Sequence, residues 1–373
     1  MNNLMSAHRQ WATRPSDERF QTLAEMHKSI SKRRQESQES TLNMRDIVLH
    51  TNGEMVVQTH THGLTLSNWS AGQLLSKLGI PRDLLAKLTS TTADAVLADR
   101  LHAVLNVEKT QETKQRILLQ WRSEGTPLIR AFHGSRYARL WDAAITGMLM
   151  EYLPPGWRNP VAFKDGKWGG PLVPSGLYAG DRNMFAFFID GGDASDTQRP
   201  SFDVDGDAFN RGFIISNSEV GSDTFTATRF RMRYVCGNNI IWGAEDVHTI
   251  RARHTRKVST SFHEFRRYLE TLNTSADETL FVKAVRAAKS RVVVPITRKK
   301  DEVLDGAFDK FKGKFTQATI IDSLDAILRE EKGAKGTAWD WLQGFTAAAR
   351  SIPNADDRLK VETTASNLLL VAR

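Results

Sequence analysis

The sequence predicts an α+β protein, a central and mainly antiparallel curved sheet with flanking helices and a helical C-terminal part. Three observations carry this. Aromatic and β-branched runs recur between glycines over residues 157–260. Apolar residues at helical spacing fill the stretch from about Ser261 onward. No internal repeat or coiled-coil register links the two.

Residues 1–40 are polar and include the charge-mixed run "KSISKRRQESQES", which reads as a partly helical arm ending in a flexible linker. An α+β part follows over residues 41–156. It opens with "DIVLHTNGEMVVQTHTHGLTL", two β-rich runs around Asn52-Gly53. Asn-Gly marks a hairpin because both residues tolerate positive φ. Next, Ser67 or Asn68 caps a helix carrying Leu74, Leu75 and Leu78, which Gly79 and Pro81 end. A short helix with Leu84, Leu85 and Leu88 and a third over residues 91–106 come after it. "RILLQW" and "PLIRAFHG" read as a strand pair, and "SRYARLWDAAITGMLMEYLPP" as a helix stopped by Pro154 and Pro155. The β-rich part over residues 157–260 and the helical part over residues 261–373 complete the chain.

The 373 residues, 40% hydrophobic and 25% charged, suit a globular protein with a large core. No window reaches the ~18 apolar residues of a membrane span, and the N-terminus has no apolar run of the secretory type. The single cysteine, Cys236, leaves no disulfide framework and no cysteine-based zinc site, so a cytoplasmic setting is expected. It follows a run that reads as buried, where a small thiol is common. The net charge of +8 favours polyanionic partners over membranes.

How that charge is arranged matters more. In "FTATRFRMRYV" the residues Arg229, Arg231 and Arg233 alternate with Phe230, Met232 and Tyr234. On a strand, alternation places three guanidiniums on one face and the apolar groups on the other. Arg251, Arg253, Arg256 and Lys257 extend the theme, with only Glu245 and Asp246 to oppose it between residues 229 and 257. Such a face neutralises phosphates without reading base sequence. Trp242, Trp168 and Tyr178 are nearby aromatics on which bases could stack. DNA rather than RNA is the expected partner, and a homo-oligomer is compatible with this reading.

Signals for chemistry are sparse. Asp203, Asp205 and Asp207 have the spacing of an EF-hand loop, but Ala208 stands where that loop needs glycine and Ile214 where it needs a bidentate glutamate. With Glu219 the three could still form a carboxylate cluster for Mg²⁺, as a nuclease would use. His60 and His62 would share a strand face, without a third ligand in the local sequence. No nucleotide-binding or hydrolase motif occurs, and no cofactor is expected. Glu219, in "NSEVG", is expected to pair with Arg229 or Arg231 across a hairpin.

Four segments together, "LSNWSAGQLLSKLGIPRDLLAKL", "RAFHGSRYARLWD", "GFIISNSEVGSDTFTATRFRMRYVCGNNIIWG" and "AWDWLQGFTAAAR", resemble a phage- and plasmid-borne family catalogued as domain of unknown function 932. The resemblance runs from about residue 45 to about residue 350, and "VCGNN" departs from the family's more frequent "VCTNG". It implies a mobile element in a bacterial cytoplasm and involvement with phage or plasmid DNA, and it assigns no catalytic residue. By analogy of architecture, an ATP-independent protein that binds or anneals single-stranded DNA fits best. A metal-dependent nuclease and a host-interaction factor without catalysis are the alternatives.

Overall fold

The computed structural model describes residues 15–368 apart from 53, 108–112, 122–124, 135, 164–171, 175, 191–200, 236–237, 243–248, 256–257, 273–277, 298, 332, 350, 353–360 and 362–363. The chain enters through strand β1 (Arg19–Phe20) and helix α1 (Leu23–Gln35). Thr22 and Glu25 close a capping box at the start of α1, each satisfying a backbone N–H that the helix cannot. Met26 and Ile30 of α1 are buried. Residues 23–43 are therefore built into the body of the protein, as α1 and the strand β2 (Ser37–Asn43), rather than forming the polar arm and linker expected. Only two apolar residues of α1 are fully buried, too few to stand out in so polar a run.

Six strands form the first sheet: β2, β3 (Val48–Asn52), β4 (Glu54–Gln58), β5 (Gly63–Leu66), β6 (Lys114–Gln120) and β7 (Leu128–His133), in the order β2-β6-β7-β5-β4-β3. The expected Asn-Gly hairpin joins β3 to β4, with Asn52 opposite Glu54. β6 and β7 pair antiparallel as the sequence suggests, while β5 and β7 run parallel. That parallel step requires a crossover, and helices α2 (Asn68–Lys77), α3 (Arg82–Leu85) and α4 (Ser90–Val107) supply it. The Ser67 hydroxyl caps α2 by accepting from the Ser70 N–H. Leu74, Leu75, Leu78, Leu97 and Leu101 cover Leu49, Val57, Leu64, Ile117 and Ile129 of the sheet.

Helix α5 (Asp142–Tyr152) starts seven residues later than "SRYARLWDAAI" suggests, and leads to the second sheet. This has the path β1-β11-β12-β14-β15-β16, with β8, β13 and β17 at its margins. Its strands are β8 (Trp157–Arg158), β11 (Leu177–Ala179), β12 (Met184–Asp190), β13 (Phe202–Val204), β14 (Asp207–Asn217), β15 (Phe225–Val235), β16 (Asn238–Trp242) and β17 (Thr249–Ala252). A separate pair joins β9 (Val161–Phe163) to β10 (Leu172–Pro174). All pairings in the second sheet are antiparallel.

One face of this sheet packs Met184, Ala186, Phe188, Phe213, Ile215, Phe225 and Ala227 against α1, α5 and helix α6 (Val258–Glu270). Further along, Val204 and Phe209 join the core of the C-terminal helices α7 (Glu278–Ser290), α8 (Lys300–Phe311), α9 (Gln317–Glu330) and α10 (Ala338–Ala349). On the opposite face Gly212 lies under the ring of Phe230, and a Cβ there would fall 1.9 Å from its Cζ. Among the described residues, no helix is long and apolar enough to cross a membrane.

Candidate functional site

The link from β14 to β15, "NSEVGSDT", is the meeting point of both sheets. Glu219 is 2% exposed. It accepts a hydrogen bond of 2.9 Å from Arg130 on β7, lies 4.0 Å from Arg33 on α1, and accepts from the backbone N–H of Asp142 at the start of α5. Asp142 in turn contacts Arg33 at 3.2 Å and accepts from Asn217 Nδ2 at 2.7 Å. Two arginines thus face two carboxylates in a water-poor site. Burial pushes the Glu219 carboxyl up, but the charges of Arg130 and Arg33 outweigh it and hold the group below the usual glutamate range. Asp142 goes the other way, raised by burial and by the neighbouring Glu219 charge. Burial also lowers Arg130.

The backbone of this link is held as firmly as its carboxylate. The Tyr137 hydroxyl donates toward the carbonyls of Ser218 and Glu219 at 3.2 and 3.0 Å, and Arg139 donates to the Glu219 carbonyl. The Trp69 indole N–H donates to Val220 O at 3.0 Å, and Ser218 Oγ to Arg182 O. Gly221 has φ of +77°, and a Cβ there would meet the Tyr137 ring at 3.2 Å. His133 stacks on Tyr137 with 3.9 Å between centroids, and His254 lies on Tyr137 at 5.2 Å. Burial and the charges of Arg139 and Arg116 lower His133 to about 3. Burial also lowers His254, with Arg139 adding to it.

Beside the link opens a cleft of about 520 Å³. It lies at the start of α2 and under the β11–β12 turn, and Glu18, Trp69, Asp181, Arg182, Asn183 and Asp223 contribute to its walls.

The structure corrects several expectations for this region. Glu219 pairs with Arg130 and Arg33, not with Arg229 or Arg231. Ser216 sits opposite Thr226, so the ladder ends before Glu219 and the carboxylate turns away from the arginine row. Arg229, Arg231 and Arg233 do occupy alternate positions of β15, opposite Phe213, Arg211 and Phe209. Yet this is the helix-covered face. Arg229 and Arg231 are half-buried, and their guanidinium carbons lie 4.6 and 5.3 Å from the ring centroids of Tyr268 and Phe281. Phe230 is buried on the other face, stacked on Phe187 at 4.8 Å. Helices thus cover the face that the alternation presented as open.

Among the other basic residues, Arg251 and Arg253 are exposed at the end of β17. Arg256, Lys257, Cys236 and Trp168 lie outside the described residues, and only the strand position of Trp242 is defined, in β16. Tyr178 is buried and stacks on Phe185, so no base can reach it.

The acidic residues are not brought together. Asp205-Gly206 form the turn of the β13–β14 hairpin, with φ of 51° and 86°, the positive pair of a type I′ turn. Asp203 Oδ1 accepts from the Gly206 N–H, Asp205 pairs with Arg286 at 3.1 Å, and Asp207 pairs with Lys289 at 2.6 Å. Glu219 lies beyond the far end of β14, about 33 Å of strand from Asp207. His60 and His62 sit in the turn between β4 and β5 rather than on a strand, because Thr59 Oγ1 accepts the N–H groups of Thr61 and His62. Among the described residues, no three His, Cys, Asp or Glu side chains could together hold a metal ion.

Residues 172–355 match the family model of the domain of unknown function DUF932, the family that the sequence motifs resemble. No curated protein and no solved structure matches the chain. The match leaves out "LSNWSAG" and "RAFHGSRYARLWD", which nonetheless supply Trp69, Arg130, His133, Tyr137, Arg139 and Asp142 to the "NSEVG" link. Arg33 comes from the charge-mixed run "KSISKRRQESQES", where nothing in the sequence points to a buried role.

Proposed function

We propose that this protein binds nucleic acid, with single-stranded DNA as its target, and serves recombination or replication of a phage or other mobile element in the bacterial cytoplasm. Binding or annealing of this kind requires no ATP, and the chain has no motif for it. The observation that carries the reading is the exposure of Arg251 and Arg253 at the end of β17, on a chain of net charge +8. Exposed guanidiniums on an edge strand can follow a phosphate backbone without reading its bases. Arg229 and Arg231 serve this surface less directly, because they pack on rings beneath α6 and α7. Assembly of several copies along one strand would add affinity through avidity.

The test is fluorescence anisotropy with single-stranded DNA, duplex DNA and RNA across a salt series. Replacing Arg251 and Arg253 together by Ala should weaken single-strand binding and flatten the log–log salt dependence by ~1.4, about 0.7 for each phosphate no longer neutralised. Affinity and slope unchanged in the double variant would overturn the assignment. Light scattering of the complex reports whether copies assemble on the strand.

A further inference from the structure

The cleft beside the "NSEVG" link has an electrostatic character opposite to that of the molecule as a whole. Glu18, Asp181 and Asp223 line it against one base, Arg182. Asp181 and Asp223 are exposed, and neither forms an ion pair with a described residue; Asp223 Oδ1 accepts the Thr224 N–H, and the residue also faces the buried His254. On the same wall stands Trp69, whose ring is held in place by the hydrogen bond from its indole N–H to Val220 O at 3.0 Å. The guanidinium carbon of Arg182 lies 5.2 Å from the centroid of that ring. Arg182 is exposed, so it can leave the ring without unfolding anything.

We propose that this cleft binds a linear organic polycation with primary ammonium groups, a polyamine in chemical class. The volume of about 520 Å³ falls in the range of small-molecule sites. A fixed indole attracts a cation over its face, and a tethered arginine already occupies that position. The carboxylates provide partners for ammonium groups spaced along a chain. They do not form a compact set that could hold a metal ion. The polyamine would displace Arg182 from the indole, place one ammonium on the ring and carry the others to Asp181 and Asp223. The cleft carboxylates repel phosphate, while Arg251 adjoins the cleft, its Nε donating to Thr224 Oγ1 at 3.4 Å; the titration without nucleic acid therefore tests the site separately from the nucleic-acid reading.

Calorimetric titration of the full chain with spermidine, without nucleic acid, tests this. Saturable binding at one site per chain is expected. The Asp181→Asn, Asp223→Asn double variant should bind about tenfold or more weakly, since two charge partners are removed. Arg182→Ala should bind more tightly, about two- to fivefold, because the competing cation is gone. That gain is not expected of a merely structural arginine. All three positions are exposed, and circular dichroism checks that the variants are folded. The proposal fails if spermidine gives no saturable binding, if the double variant binds like the parent, or if Arg182→Ala binds more weakly.

Discussion

Glu219 and Arg130 are each 2% exposed, and neither tolerates loss of the other. Glu219→Gln keeps the shape of the side chain and removes the charge, leaving two arginines, the buried Arg130 and the half-buried Arg33, to the one carboxyl of Asp142. Breaking one side of a buried pair costs about 3–5 kcal/mol, so urea unfolding at neutral pH should show a loss of that order. Because the folded state holds the Glu219 carboxyl below its ordinary range, its stabilisation is complete above that range. It is lost as pH falls through the folded value. The gap between parent and variant should therefore narrow in acid, and a gap that widens there would contradict the pairing. Asp142 contributes with opposite sign, since its carboxyl is raised and ionising it costs the folded state as pH rises. The sequence marks Glu219 for attention but hides its partner, which lies 89 residues away. Arg229 and Arg231 are nearer in the chain, and only the register of β14 on β15 excludes them.

At the scale of elements, local signals proved dependable and faces did not. The Asn-Gly hairpin, the Ser67 cap and the antiparallel β6–β7 pair all rest on short-range chemistry, and all are present. Asp205-Gly206 carries an equally local hairpin signal, masked in the sequence by its resemblance to a cation-binding loop. The alternation of β15 gives the correct two sets of residues. It does not say which set meets solvent, because Phe225 and Ala227 are buried on one face and Phe230 on the other. On a strand covered on both sides, an arginine can be a packing residue, its stem and planar head laid against a ring. The opposite face offers a direct test at Gly212, which sits under Phe230. Gly212→Ala must move that ring from its stack on Phe187. A loss of at least about 1–3 kcal/mol is expected from overpacking, together with an altered near-ultraviolet spectrum. A variant as stable as the parent would show that the two strands can part there without cost.

For the molecule as a whole, the junction between the sheets sets the response to acid. His133 and His254 are both buried and both held neutral, chiefly by burial and then by the charge of Arg139. A base whose folded pKa is lowered supports the fold fully above its unfolded value of 6.5 and progressively less below it. Between about pH 7 and about pH 5 His133 should cost the fold stability, approaching about 1.4 kcal/mol per pH unit, with His254 adding in the same direction and the raised Asp142 carboxyl opposing them. His133→Gln should reduce that slope by about one proton, and an unchanged slope would place the proton uptake elsewhere. The tie between Arg130 and Glu219 also has a consequence for synthesis. A ribosome releases the first sheet before the second, so Arg130 emerges 89 residues ahead of the carboxylate that neutralises it. At ~5–20 residues per second, that is a wait of roughly 5–20 s for the nascent chain. Through that interval α1 also lacks the second sheet that covers Met26 and Ile30. A half-made chain thus holds an unmatched cation and a bare apolar stripe at the place where its second half must dock.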